Sequence, residues 1–189
     1  MELKGKNVLF LGSSVTCGVT RGISFAEIMA QRCGITYVKE AISGTTLADI
    51  NEKSYVSRLK KIDKTLHFDL FICQLSTNDA NPARNDVTIG DSEKGLRFIL
   101  DYVKTTFNCP IVFFTGTYFE NKKYVQLIEL LYSLQKEYDF YILDLFNDEE
   151  MRAISKEKYA IYMKDGVHPT IEGYSEWWTP KFIEFCEKI

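Results

Sequence analysis

Short apolar runs alternate with segments of helical periodicity from one end of this chain to the other, and that alternation fixes the class of fold. Residues 7–11, Asn-Val-Leu-Phe-Leu, are nearly continuous in apolar side chains, as expected of a strand covered on both faces. Residues 24–33 carry Phe25, Ile28, Met29 and Cys33 at helical spacing and stop at Gly34, a residue suited to end a helix. Further strands are predicted over 35–39, 69–75, 110–115 and 140–143. Helices are predicted over 55–66, 92–106, 122–138 and 171–188, with 148–161 partly helical.

Strands separated by helices call for parallel pairing through right-handed crossovers. The expected architecture is therefore α/β: a three-layer α/β/α sandwich of about five parallel strands. A chain of 189 residues is most simply one domain spanning 1–189, and a chain of that size buries roughly 70% of its unfolded surface. The longest irregular stretch, 76–91, is rich in Asn, Asp and Pro and directly follows the third strand. That places it on the carboxyl edge, where open α/β sheets hold their sites.

Composition removes several classes of function. The net charge of −3 favours no polyanionic partner, so nucleic acid is not expected. The most basic stretch, Arg58-Leu-Lys-Lys-Ile-Asp-Lys64, reads as a solvated helix face. No run approaches the ~20 apolar residues of a membrane span, and the first residues do not resemble an export signal. The five cysteines form no Cys-x-x-Cys pair, which suggests neither zinc nor a disulfide framework. A cytoplasmic location is the expectation. A polar loop after the first strand of such a sheet could also bind a phosphate or flavin, but Gly-x-Gly-x-x-Gly and Gly-Lys-Ser/Thr are absent, which counts against it.

The chemistry-bearing residues cluster at strand ends. The first strand runs into Gly12-Ser13-Ser14, small residues for a tight turn and a hydroxyl at its tip. Serine is a poor nucleophile until a base takes its proton, and histidine is the usual base. The chain has two histidines. His67 precedes the third strand, at the amino edge, and ~3.3 Å per strand residue separates it from Ser14 by roughly 20 Å. His168 stands in Lys-Asp-Gly-Val-His-Pro-Thr, three residues after Asp165, a spacing that lets the carboxylate fold back onto the imidazole. Acyl transfer also needs donors for an oxyanion. The N–H at Ser14, Gly44 after the second strand and the Asn78 amide after the third are the candidates, although a glycine or asparagine there also serves as a turn or loop cap.

This constellation resembles the GDSL, or SGNH, family of serine esterases and lipases over nearly the whole chain. Gly12-Ser13-Ser14-Val15 corresponds to the family's first block, Gly44 to the glycine of its second, Ser76-Thr77-Asn78-Asp79 to Gly-x-Asn-Asp and Asp165-Gly166-Val167-His168 to Asp-x-x-His. Ser13 and Ser76 depart from the family pattern at positions that are not catalytic in it. The resemblance implies a flavodoxin-like sandwich without metal or cofactor. It also implies a Ser14-His168-Asp165 triad working through an acyl-enzyme, an oxyanion hole of Ser14, Gly44 and Asn78, and a small-molecule ester substrate. No Gly-x-Ser-x-Gly elbow is present, which argues against the α/β-hydrolase fold. Tyr118 and Phe119 either line the acyl pocket, with Trp177 (or Trp178) capping it, or serve core or surface packing. With no insertion long enough for a lid, short acyl groups such as acetyl esters of a sugar or other small polar molecule are favoured. A lysophospholipase, thioesterase or acyltransferase at the same site is the alternative, as is a carbohydrate-binding module without catalysis.

Overall fold

The computed structural model describes residues 1–189. Parallel pairing assembles β1 (Asn7–Gly12), β2 (Thr36–Ala41), β3 (Leu70–Gln74), β4 (Ile111–Phe114) and β5 (Tyr141–Leu143) into one sheet of order β2-β1-β3-β4-β5. The three interior strands, β1, β3 and β4, are buried almost throughout, as the unbroken apolar run over 7–11 requires of the first. This is a three-layer α/β/α fold of the flavodoxin-like order. The order reverses between β1 and β3, so the segments leaving those two strands diverge and open a crevice at the carboxyl edge.

Two apolar clusters cover the two faces of the sheet. One packs α3 (Tyr55–Leu59), α4 (Ile89–Thr106) and α5 (Lys122–Leu134) through Tyr55, Leu59, Leu96, Ile99, Leu127 and Leu131. The other packs α2 (Phe25–Cys33) and the C-terminal helical segment through Phe25, Met29, Tyr174, Trp178 and Phe182, with Phe25 and Phe182 stacked at 4.0 Å. No helix is long and apolar enough to cross a membrane.

Capping chemistry sets the ends of several elements. Ser24 and Glu27 form a reciprocal capping box at the start of α2, and Gly34 closes it at φ +68°. Thr88 and Asp91 do the same for α4, which begins three residues before the predicted start.

Three expectations need correction. The helix predicted over 55–66 ends at Leu59, because the Asp63 carboxylate accepts from the N–H and hydroxyl of Thr65 and draws the chain into a turn. Arg58 is not on a solvated face but is buried, while Lys60, Lys61 and Lys64 are exposed. The helix predicted over 171–188 is a succession of α8 (Ile171–Gly173), a π-helical turn (Tyr174–Trp178) and α9 (Thr179–Glu187). Pro180 sits in the first turn of α9 and has no N–H to return to the preceding turn, a condition that favours local widening. A short helical turn, α1 (Ser14–Cys17), also follows β1 where none was predicted.

Gly12 shows how tightly the end of β1 is packed. A Cβ there would lie 2.0 Å from Thr16 Oγ1 and 2.9 Å from Gln74 Oε1, and both side chains are buried. Gly12→Ala is expected to destabilise the protein by about 1–3 kcal/mol through overpacking. That corresponds to a Tm at least about 2–4 °C lower in a thermal melt. An unchanged Tm would show that Thr16 and Gln74 have freedom this packing denies them.

Candidate active site

The turn after β1 is held from two sides. From β3, the Gln74 Oε1 accepts the Ser13 N–H at 3.0 Å, the Thr16 N–H at 3.3 Å and the Thr16 hydroxyl at 3.0 Å. From α3, the Arg58 guanidinium donates to the Gly12 carbonyl at 2.8 Å, the Thr45 hydroxyl at 3.3 Å and the Glu40 carbonyl at 2.6 Å. Burial lowers the pKa of Arg58, although an arginine stays charged throughout the accessible range. These contacts leave Ser14 at the first position of α1. Its N–H meets no protein acceptor, while its hydroxyl is free to turn toward His168.

His168 arrives on a tight return of the chain. Met163 and Pro169 form an antiparallel bridge, and the Lys164 N–H donates to the His168 carbonyl at 2.8 Å. Within that return, the Asp165 Oδ1 accepts from the Val167 and His168 N–H groups, each at 2.8 Å. The carboxylate thereby faces His168 Nδ1, with Oδ2 at 2.9 Å, and the Ser14 Oγ lies 2.8 Å from Nε2. Partial burial works against ionisation of Asp165. The bonds from Val167 and from the His168 ring and backbone outweigh it and hold the carboxyl below the usual carboxylate range. Further along the chain the Tyr174 hydroxyl donates to the Val15 carbonyl at 2.7 Å, tying the C-terminal helical segment to the serine turn.

Asn78 follows β3 and donates from Nδ2 to the Thr45 carbonyl at 2.9 Å, which leaves its second amide N–H uncommitted. Asp79, fully buried, accepts the Leu47 and Ala48 N–H groups, each at 2.9 Å, and the Ser92 hydroxyl at 2.8 Å. The loop after β2 is thus pinned to the loop after β3. Gly44 lies in that loop at φ +77°, exposed, with its carbonyl 2.6 Å from Arg84 Nη2 and no protein acceptor for its N–H.

Ser14 and His168 border a cavity of about 240 Å³. Its polar side is made by Thr77, Asn78, Asn81 and Asn121, and its apolar side by Pro82, Phe119 and Val167. Gly44 is not part of this lining. The aromatic residues expected at the pocket divide: Phe119 lines the cavity, whereas Tyr118 and Trp177 line a separate one of about 400 Å³ that includes neither Ser14 nor His168. Trp178 is core. His67 stands exposed at the amino end of β3.

Sequence reading missed the supports. Gln74 carried a signal, a polar residue ending an otherwise apolar central strand, which must find partners. Asp79 was visible only as the neighbour of Asn78. Arg58, Asn81 and Asn121 carried none.

Fold and site together define a flavodoxin-like α/β/α protein with a serine, a histidine and an aspartate in hydrogen-bonded line at the carboxyl edge of its sheet. The GDSL-like lipase/acylhydrolase family matches residues 10–175, and the chain belongs to that family. No curated protein matches it. Among solved structures it is similar to a member of the lipolytic protein G-D-S-L family from Veillonella parvula, with a TM-score of 0.75 and 15% identity over 97% of this chain and 99% of that one. It is similar to the acetyl xylan esterase AlAXEase at 0.71 and 16%, over 95% of this chain and 98% of that one. A family two carbohydrate esterase from Clostridium thermocellum, solved with cellohexaose, aligns at 0.68 and 14% over 97% of this chain and 65% of that one. At these identities the likeness is one of fold.

Asp79→Asn places an NH2 where a buried carboxyl oxygen now accepts an N–H, leaving donor facing donor. The expected cost is about 1–3 kcal/mol. It should be read as a lowered Tm together with faster hydrogen exchange at Leu47 and Ala48. Unchanged protection of those two amides would refute the pin.

Proposed function

We propose that this protein is a serine ester hydrolase that works through Ser14, His168 and Asp165. The observation that carries the reading is the unbroken chain from Ser14 Oγ to His168 Nε2 at 2.8 Å and from His168 Nδ1 to Asp165 Oδ2 at 2.9 Å. In this reading His168 takes the proton of the Ser14 hydroxyl as Oγ attacks the ester carbonyl. Asp165 fixes the tautomer and stabilises the imidazolium. The tetrahedral oxyanion is met by the Ser14 N–H, the uncommitted Asn78 N–H and the Gly44 N–H. Collapse releases the alcohol with the proton from His168. Water activated by the same imidazole then frees the acid and restores Ser14.

The lining of the Ser14 cavity supports a small, neutral, polar substrate. A volume of about 240 Å³ suits a short acyl group, and asparagine amides match hydroxyl-rich alcohols such as an acetylated sugar. Apart from His168 the lining carries no charged side chain, whereas a lysophospholipid phosphate calls for a cation. The acetyl xylan and carbohydrate esterases sharing the fold agree with this choice. The site rests on one domain spanning 1–189, built on a single sheet.

Ser14→Ala is expected to abolish p-nitrophenyl acetate turnover with the Tm unchanged, and a fluorophosphonate probe should label Ser14. A label on Ser13, or none, would overturn the assignment. His67→Gln should leave turnover unaltered.

Asn78→Ala is expected to lower kcat by about 10²–10³-fold with little change in KM, the mark of a donor that acts in the transition state. Because Asn78 also holds the Thr45 carbonyl, the same variant should melt a few degrees lower. A lowered Tm with kcat intact would make Asn78 a loop pin only.

A further inference from the structure

The cavity that takes Tyr118 and Trp177 shares no lining residue with the Ser14 cavity and is larger, about 400 Å³ against 240 Å³. It lies between the segment after β4, the linked helices α6 (Glu149–Arg152) and α7 (Lys156–Tyr162), and the π-helical turn. Features of its wall ask for a ligand that the protein itself does not supply.

Arg152 and Lys156 border the same space, and neither forms an ion pair or a side-chain hydrogen bond. The Arg152 guanidinium lies 4.3 Å from the centroid of the Tyr118 ring, a stacking contact that leaves its donors unspent. The nearby carboxylates of Asp148 and Glu150 are taken by Lys181 at 3.0 and 2.6 Å. Two unpaired cations on one cavity wall favour an anion.

The rest of the wall is aromatic. Tyr159 and Trp177 meet edge to face at 6.3 Å and 79°, and Tyr118 stands with them at the same cavity. Such a wall accommodates a flat ring, and the volume suits one ring with a substituent.

We propose that this cavity is a second binding site, for a small aryl anion: a planar ring bearing one carboxylate or phosphate. The ring lies among Tyr118, Tyr159 and Trp177, and the anionic group meets Arg152 and Lys156. The site stands independently of the chemistry at Ser14.

The chain's two tryptophans allow a direct test. In the 15N-labelled full-length protein each indole N–H gives its own signal, and Trp177→Phe assigns them. Titration with phenyl phosphate or benzoate is expected to shift the Trp177 signal saturably and leave that of buried Trp178 in place. Benzyl alcohol, with the ring but no charge, and inorganic phosphate, with charge but no ring, should each bind about tenfold more weakly or worse. Arg152→Gln and Lys156→Gln, at exposed positions where folding is not at risk, should each weaken phenyl phosphate by about tenfold. The tighter of the two aryl anions identifies the preferred charged group. A still Trp177 signal, benzyl alcohol binding as tightly as the anions, or affinity indifferent to both substitutions would overturn the proposal.

Discussion

The side-chain carbonyl of Gln74 is the contact on which the geometry of the sheet's carboxyl edge rests. It lies at the end of β3, beside β1, and gathers donors from Ser13 and Thr16 on either side of Ser14. Those donors are buried, so each would be orphaned if the turn moved away, and the turn is held accordingly. Gly12 is what permits the approach, since any side chain there would occupy the space of Thr16 and Gln74. Arg58 secures the opposite side of the turn through the Gly12 carbonyl and reaches Thr45 with the same guanidinium. Asp79 then extends the framework to Leu47 and Ala48. Loops from three adjacent strands are thereby fixed to one another before any substrate is considered.

Much of this was legible in the sequence because burial on both faces forces strands to be apolar. The runs at 7–11 and 69–75 are too short for helices and read as buried strands, and a parallel sheet follows from the helices between them. Placement of residues just beyond strand ends brought out Ser14 and Asn78, and the short Asp165-to-His168 spacing made a local pair visible. What stayed hidden depends on side-chain direction. Arg58 sits in a charged stretch whose lysines do face solvent, and nothing in its neighbours marks it as buried. Tyr118 and Phe119 look equivalent as consecutive aromatics after β4, yet they serve different cavities. The early end of α3 turned on Asp63 bonding locally to Thr65, a competition between turn and helix that periodicity does not register.

That division of Tyr118 from Phe119 gives the carboxyl edge two unlike compartments. One is small, amide-rich and uncharged apart from its histidine; the other is larger, aromatic and flanked by cations. Both borrow from the segment after β4, and Gly166 lies against Phe119, its Cβ position 4.0 Å from that residue's Cβ. The segment is therefore a partition whose two sides carry different chemistry at adjacent sequence positions.

The distance along the chain between Ser14 and His168 has a consequence for when reactivity begins. The two residues are separated by 154 positions, whereas Asp165 and His168 are three apart. The Asp165–His168 pair is thus a local structure, while its junction with the serine closes one of the longest loops in the molecule. During synthesis the serine turn leaves the ribosome long before His168 does, and a chain not yet folded through Tyr174 has no link from that helix to Val15. Under the proposed mechanism the hydroxyl stays inert throughout translation. Competence then arrives as a final docking event, so the unfinished polypeptide poses no hydrolytic hazard to esters around it.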